Sequence, residues 1–197
     1  RLLPLGEDSF ETFSFDWYDS AVQPAFGVSP RANMERNFDV CRDYAYQFAK
    51  GGGSLLLSGG TGLGKTFLSA CIARVVSESG FSVVYDTAIS IFAKLENDKF
   101  RPDEETAAEV RRCEGCDLLI LDDLGTEMTT SFVQSALYQI INGRLLEKKS
   151  TIVSTNLMPE AIAQRYSGQI ASRIEGEYQL LPFVGEDIRV LKKKRGL

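Results

Sequence analysis

The 197 residues, 44% hydrophobic and 25% charged, have the size and composition of one globular domain with a sizeable core. A formal net charge of -5 excludes a protein that coats nucleic acid by bulk electrostatics and leaves only a local basic stripe for phosphate contact. The chain holds 0 histidines, which removes Ser-His-Asp and Cys-His catalysis and every imidazole metal ligand.

No apolar run approaches the roughly 18 to 20 residues that span a bilayer, and no basic segment precedes an apolar one as in a secretory signal. A cytoplasmic protein with no membrane partner is expected. Because the chain opens on Arg1 rather than Met, further chain is expected beyond it.

Residues 1–30 mix aromatics, acids, Gly and Pro without periodicity, as in Phe13-Ser14-Phe15-Asp16-Trp17-Tyr18, and read as an ordered arm. The main domain, 31–197, begins with a helix opened by Ser29-Pro30, with Phe38, Cys41, Ala45 and Phe48 at helical spacing and Gly51-Gly52-Gly53 as its stop. Short apolar runs then alternate with amphipathic stretches, the pattern of a parallel sheet covered by helices on both faces. Five strands are predicted at 54–57, 82–85, 117–121, 151–154 and 178–183, with Pro182 placing the last at an edge. Helices are predicted over 65–79, 88–95, 103–112 and 131–147, and a polar helical stretch over 162–174.

The first strand runs into Gly59-Gly60-Thr61-Gly62-Leu63-Gly64-Lys65-Thr66 and then an apolar-periodic helix, the strand, glycine-rich turn and helix that a P-loop requires. Glycines let backbone N–H groups converge on phosphates, and the helix N-terminus favours the anion. Lys65 is placed to reach the β- and γ-phosphates and Thr66 to offer its hydroxyl to Mg²⁺. With the adjoining Phe67, these are the candidate ATP-binding residues.

The third strand ends in Asp122-Asp123, two carboxylates at the carboxyl edge of the sheet. Asp122 is the candidate second metal ligand beside Thr66, and Asp123 the candidate base or orienter for the attacking water. The fourth strand ends in Asn156, an amide at the same edge. Arg165 and Arg173 follow in the polar helical stretch, where solvent is the default for each. Cys113-Glu114-Gly115-Cys116 has the spacing of half a zinc site, but Cys41 and Cys71 fall on apolar helical faces, and free cysteines are the reading taken. Lys192-Lys193-Lys194-Arg195 reads as a solvated basic terminus because no aromatics interleave it.

The order P-loop, Leu121-Asp122-Asp123-Leu124-Gly125, Ser154-Thr155-Asn156 and Ala171-Ser172-Arg173-Ile174 resembles the bacterial helicase-loader ATPases of the DnaC/DnaI type and the related IstB ATPases, over about Phe10 to Arg189. The resemblance implies a three-layer α/β P-loop NTPase of the AAA+ type with a parallel five-stranded sheet, ATP and Mg²⁺ as cofactors, and self-association through the ATP site. It implies Asn156 as sensor 1, Arg173 as an arginine finger offered to a neighbouring subunit, and Arg189 as sensor 2. It also implies slow, assembly-dependent ATP hydrolysis in the service of DNA replication, with a replicative DNA helicase as partner and single-stranded DNA as a further one. Two departures stand out. Asp123 occupies a position where many AAA+ proteins carry Glu, and only ten residues follow Asp187, too few for the full C-terminal helical lid. A transposase helper of the IstB type shares every one of these motifs. A small-molecule P-loop kinase is the reading from another class, and no arginine-rich lid insertion speaks for it.

Overall fold

The computed structural model describes residues 6–196; the first five residues of the predicted arm lie outside the described residues. Five strands, β1 (Ser54–Gly59), β2 (Val83–Thr87), β3 (Leu118–Leu124), β4 (Ser150–Thr155) and β5 (Tyr178–Phe183), pair in parallel in the order β2-β3-β4-β1-β5. The helices are α1 (Pro30–Tyr46), α2 (Lys65–Glu78), α3 (Ala88–Phe100), α4 (Glu104–Gly115), α5 (Ser131–Leu146), α6 (Pro159–Arg165), α7 (Gly168–Glu177) and α8 (Ile188–Lys194).

Strand alternation divides the core into two layers. Leu55, Leu57, Leu118, Ile120 and Ile152 face α1 and α2, whereas Leu56, Leu119, Leu121 and Val153 face α3, α5, α6 and α7. Both faces are covered, so the strands read as continuous apolar runs. The helices begin where local chemistry starts them: the Ser29 hydroxyl accepts from Ala32 N–H at 3.1 Å with Pro30 in the first turn of α1, and Thr130 caps α5 through Val133 N–H at 3.1 Å.

Pro182 lies in β5 at a sheet edge, where its missing N–H costs no ladder bond. The predicted strands and helices are all present, with shifted ends. The first helix stops at Tyr46, and Phe48–Lys50 form a separate 3-10 turn before Gly51, whose φ is +112°. The single stretch read over 162–174 is two helices, because Ser167 leaves the helical conformation to cap α7.

The arm's aromatics pack on α1 and on the start of α2. Phe10 meets Phe38 edge-on at 5.4 Å, and Phe13 lies 5.2 Å from Phe38 and 5.3 Å from Phe67. Lys192 and Arg195 are exposed, as expected of the basic terminus, and stand 5.4 and 4.8 Å from the Trp17 ring centroid. The aromatic partner is distant in sequence, which is why the run itself did not reveal it. All four cysteines are free and buried. Among the described residues no helix is long and apolar enough to cross a membrane.

Candidate functional site

The sheet order brings the carboxyl ends of β1, β4 and β3 side by side, the crevice where open α/β sheets bind ligands. The glycine loop leaves β1 there and runs straight into α2. Gly64, with φ +97°, is the residue before α2, and a Cβ on it would come within 2.6 Å of the Tyr18 hydroxyl. Gly62 has φ +71°, and a Cβ there would overlap the Asp187 carboxylate at 1.9 Å. Neither position admits a side chain, so the loop backbone passes close under the arm and under the start of α8. No side chain caps the first turn of α2, whose N–H groups face the loop.

A cavity of about 300 Å³ opens on this loop, lined by Thr61, Gly62, Leu63, Gly64, Lys65, Thr66, Phe67, Asp123, Asn156 and Arg189. Most of the residues that sequence nominates are therefore gathered around one space. Gly59 and Gly60 are not in its lining, and their carbonyls accept from the Lys65 ammonium at 2.7 and 2.5 Å. Burial lowers the Lys65 pKa, and the nearby Asp123 and Asp122 charges oppose that shift.

Asp122 and Asp123 are consecutive strand residues and ought to point to opposite faces. They act on one site because β3 bulges against β4: Leu121 pairs with Val153 and Leu124 with Thr155, so two aspartates face Ser154 alone. Asp123 takes the left-handed conformation at φ +55°, which Asp tolerates better than most residues. The Ser154 hydroxyl donates to Asp122 Oδ1 and accepts from Asp123 N–H at 3.1 Å. Asp122 Oδ2 receives the Thr66 hydroxyl at 3.0 Å and the Tyr85 hydroxyl at 2.9 Å. Asp122 is thus buried with three donors, whereas Asp123 faces the cavity, its pKa raised by burial and then by the Asp122 charge. The Thr66 hydroxyl and Asp122 carboxylate are hard oxygen donors, a set that fits Mg²⁺ completed by phosphate and water.

Arg189 reaches the cavity while its guanidinium donates to Asp187 at 3.3 and 3.2 Å. The ion pair lowers the Asp187 pKa and raises that of Arg189. Arg173 is exposed on α7 and does not line the cavity. Arg165, expected in solvent, is half-buried against Glu127.

Sequence reasoning missed Tyr85, Ser154, Glu127 and Arg144. Tyr85 and Ser154 lie in strands next to Asp122, and a hydroxyl at a strand's carboxyl end beside an acidic strand end was the available signal. Arg144, fully buried under α4, donates to the carbonyls of Cys113, Glu114, Cys116 and Ser150 and to Thr151 Oγ1. It stood within an apolar helical pattern as one charged residue, and nothing local marked it.

A glycine loop at the start of α2, two acids at the end of β3 and an amide at the end of β4, the strand between β1 and β3, define an ATP-binding P-loop domain of the AAA+ type. Residues 40–172, more than half of the chain, match the family described as IstB-like ATP binding protein, and the protein belongs to that family. It is 26% identical over 118 residues to the replicative helicase loader DnaC of Buchnera aphidicola, an overlap of 59% of this chain and 48% of the relative. It is 30% identical over 105 residues to an insertion sequence ATP-binding protein of Sinorhizobium fredii, an overlap of 53% of this chain and 34% of the relative. The crystal structure of a DnaC helicase loader superposes with a TM-score of 0.76 at 20% identity, covering 91% of this chain and 98% of that one. The chain spans about half the length of the first of these relatives and a third of the second.

Proposed function

We propose that the protein binds Mg-ATP in the cavity over the glycine loop, hydrolyses it slowly and only when copies stand side by side, and uses that cycle to help load a replicative DNA helicase onto single-stranded DNA. Residues 1–30 serve as an arm of the ATPase domain 31–197, and the reaction is cytoplasmic. The observation that carries the assembly requirement is a division of labour: Asp123, Asn156 and Arg189 share the cavity with Lys65, while Arg173 stands outside it on the solvent side of α7.

In this reading the loop N–H groups and Lys65 hold the β- and γ-phosphates, and Thr66 and Asp122 hold Mg²⁺, which neutralises charge developing on the phosphates. Asp123 takes up or orients the proton of the attacking water, and its raised pKa brings it nearer the range useful for a base. Asn156 positions the water or the γ-phosphate. Arg189 exchanges Asp187 for phosphate, and Arg173 reaches the γ-phosphate held by the neighbouring copy.

The helicase partner is supported by the name of the DnaC relative, and the insertion sequence relative supports a second reading, an ATPase that assists a transposase. Immobilised full-length protein with ATP, offered purified replicative helicase and purified transposase from the same source, decides between them. ATP-dependent retention of the helicase alone is expected, and retention of the transposase alone would establish the second reading.

A further inference from the structure

Glu127 is a buried carboxylate outside the cavity, 7% exposed, and it adds a polar bridge between two elements that otherwise meet through the apolar core of Leu124, Ile162 and Ile170. On one side its Oε2 accepts from Gly125 N–H at 2.8 Å, in the turn that follows Asp123. On the other its Oε1 receives the Tyr166 hydroxyl, and the Arg165 guanidinium donates to the Glu127 carbonyl with its Nε 4.0 Å from Oε1. Arg165 and Tyr166 form the junction between α6 and α7, one residue before Ser167 caps the helix that carries Arg173. A carboxylate that accepts on both oxygens and faces a cation is a fixed strut in a low-dielectric setting.

The two ends of this strut are not held equally. The acid turn keeps independent bonds without Glu127: Asp123 N–H to Ser154, Thr126 Oγ1 to the Asp123 carbonyl at 2.8 Å, and Thr155 Oγ1 to the Leu124 carbonyl at 2.6 Å. The α6–α7 junction has one other polar tie to the rest of the domain among the described residues, Gln134 to the Arg165 carbonyl at 3.3 Å. Removing the carboxylate should therefore release the helix pair more than the acid turn.

We propose that Glu127, with Arg165 and Tyr166, is a positioning cluster that locks α7 to its own subunit's nucleotide turn and so sets where Arg173 stands in the neighbouring subunit's site. Glu127 then acts on the neighbour's hydrolysis rather than on its own. The proposal rests on Arg173 working across the subunit boundary, and it adds a direction: the state of one site is passed to the next through Glu127.

Glu127→Gln tests it. Glutamine offers one carbonyl oxygen for two donors, so its NH₂ must face either Gly125 N–H or the Tyr166 and Arg165 side. Displacing a catalytic group by about 1 Å costs on the order of 10² in rate, so kcat should fall by about 10² with KM for ATP and self-assembly little changed. A merely structural defect would not show the expected pattern on mixing. Mixed with Lys65→Ala, Glu127→Gln should regain activity, because its intact loop meets a well-placed Arg173. Mixed with Arg173→Ala it should stay inactive, because the only Arg173 available is displaced. The opposite pattern, rescue by Arg173→Ala and none by Lys65→Ala, would place Glu127 at its own acid turn and overturn the proposal. Unchanged kcat would overturn it too. Tyr166→Phe, which deletes one hydroxyl and keeps the ring, should repeat the pattern if Glu127→Gln fails to fold, and wild-type kcat in a folded Tyr166→Phe would count against the cluster. If Lys65→Ala and Arg173→Ala fail to restore each other, the cross-subunit reading falls and takes this proposal with it, whereas mutual rescue of those two beside the opposite Glu127 pattern sinks only the coupling.

Discussion

The Thr66 hydroxyl donates to Asp122 Oδ2 across 3.0 Å and joins the first turn of α2 to the end of β3. Asp123, the next residue, makes no such bond and instead lines the cavity. The two acids should therefore fail differently. Asp122→Asn should weaken Mg²⁺-dependent ATP binding, while Asp123→Asn should keep binding and lose about 10² to 10⁴ in hydrolysis, the usual range for a proton-transfer group. Titrating nucleotide with and without Mg²⁺, beside single-turnover hydrolysis, separates the two. Equal loss of binding in both variants would mean the roles are misassigned.

Stability should carry the imprint of the same pair. The Asp123 pKa is raised by burial and by Asp122, so the folded protein holds that proton more tightly than the unfolded chain does. Proton uptake by the folded state favours folding at low pH, and the benefit is lost as pH rises through the folded pKa. At pH 7 the ionised Asp123 thus costs stability, and Asp123→Asn should raise Tm in the absence of nucleotide. The gain should shrink as pH drops toward the ordinary aspartate value of about 3.9, where both states become protonated. A lower Tm at pH 7, or a gain independent of pH, would contradict this.

Arg144 makes the opposite prediction, a large effect on stability with none required on chemistry. It is 2% exposed and satisfies four carbonyls at the end of α4 and the start of β4. Arg144→Ala deprives those carbonyls of their guanidinium donor and leaves Cys113 only the weak Cys116 thiol, a loss of about 3 to 5 kcal/mol by analogy with other buried charged networks. For a domain of this size that is a fall in Tm of roughly 6 to 20 °C. Lysine cannot replace it, having one donor nitrogen where guanidinium has three. Calorimetry on both variants is the check, and wild-type Tm in Arg144→Ala would refute the account.

Trp17 is the 1 tryptophan of the chain, so intrinsic fluorescence reads its contact with Lys192 and Arg195 directly. Replacing both cations with alanine should change the emission, while the same change at Lys193 and Lys194 should leave it unaltered. An equal response from both pairs would mean that the basic run acts by bulk charge and not by stacking on the ring.

Much of the fold was legible because its signals are local. Continuous apolar runs such as Leu55-Leu56-Leu57 and Leu118-Leu119-Ile120-Leu121 have no alternation, and only a sheet covered on both faces buries them. The loop from Gly59 to Thr66 is one contiguous segment whose spacing carries its chemistry. What sequence did not yield depends on pairing across long separations. The bulge that turns Asp122 and Asp123 onto one site is a register shift against β4, and Ser154, which holds both, is identified only once β3 and β4 are adjacent. Arg165 carries no local sign of its buried partner because Glu127 lies 38 positions away (165 minus 127), and the exposed Arg195 none of the Trp17 ring, 178 positions away (195 minus 17).

The central claim, that the site is completed by a second copy, is tested most directly by mixing two inactive proteins. Lys65→Ala removes the ammonium that would meet phosphate and should lose tight ATP binding with its fold intact. Arg173→Ala should bind ATP normally yet lose about 10³ to 10⁵ in hydrolysis, the range for an arginine finger. In a mixed assembly the Arg173→Ala subunit supplies an intact loop and the Lys65→Ala subunit supplies the arginine, so phosphate release should return to a fraction of the wild-type rate. If mixtures at every ratio stay inactive under conditions where wild type assembles and hydrolyses ATP, Arg173 does not act across the boundary and the account is wrong at its centre.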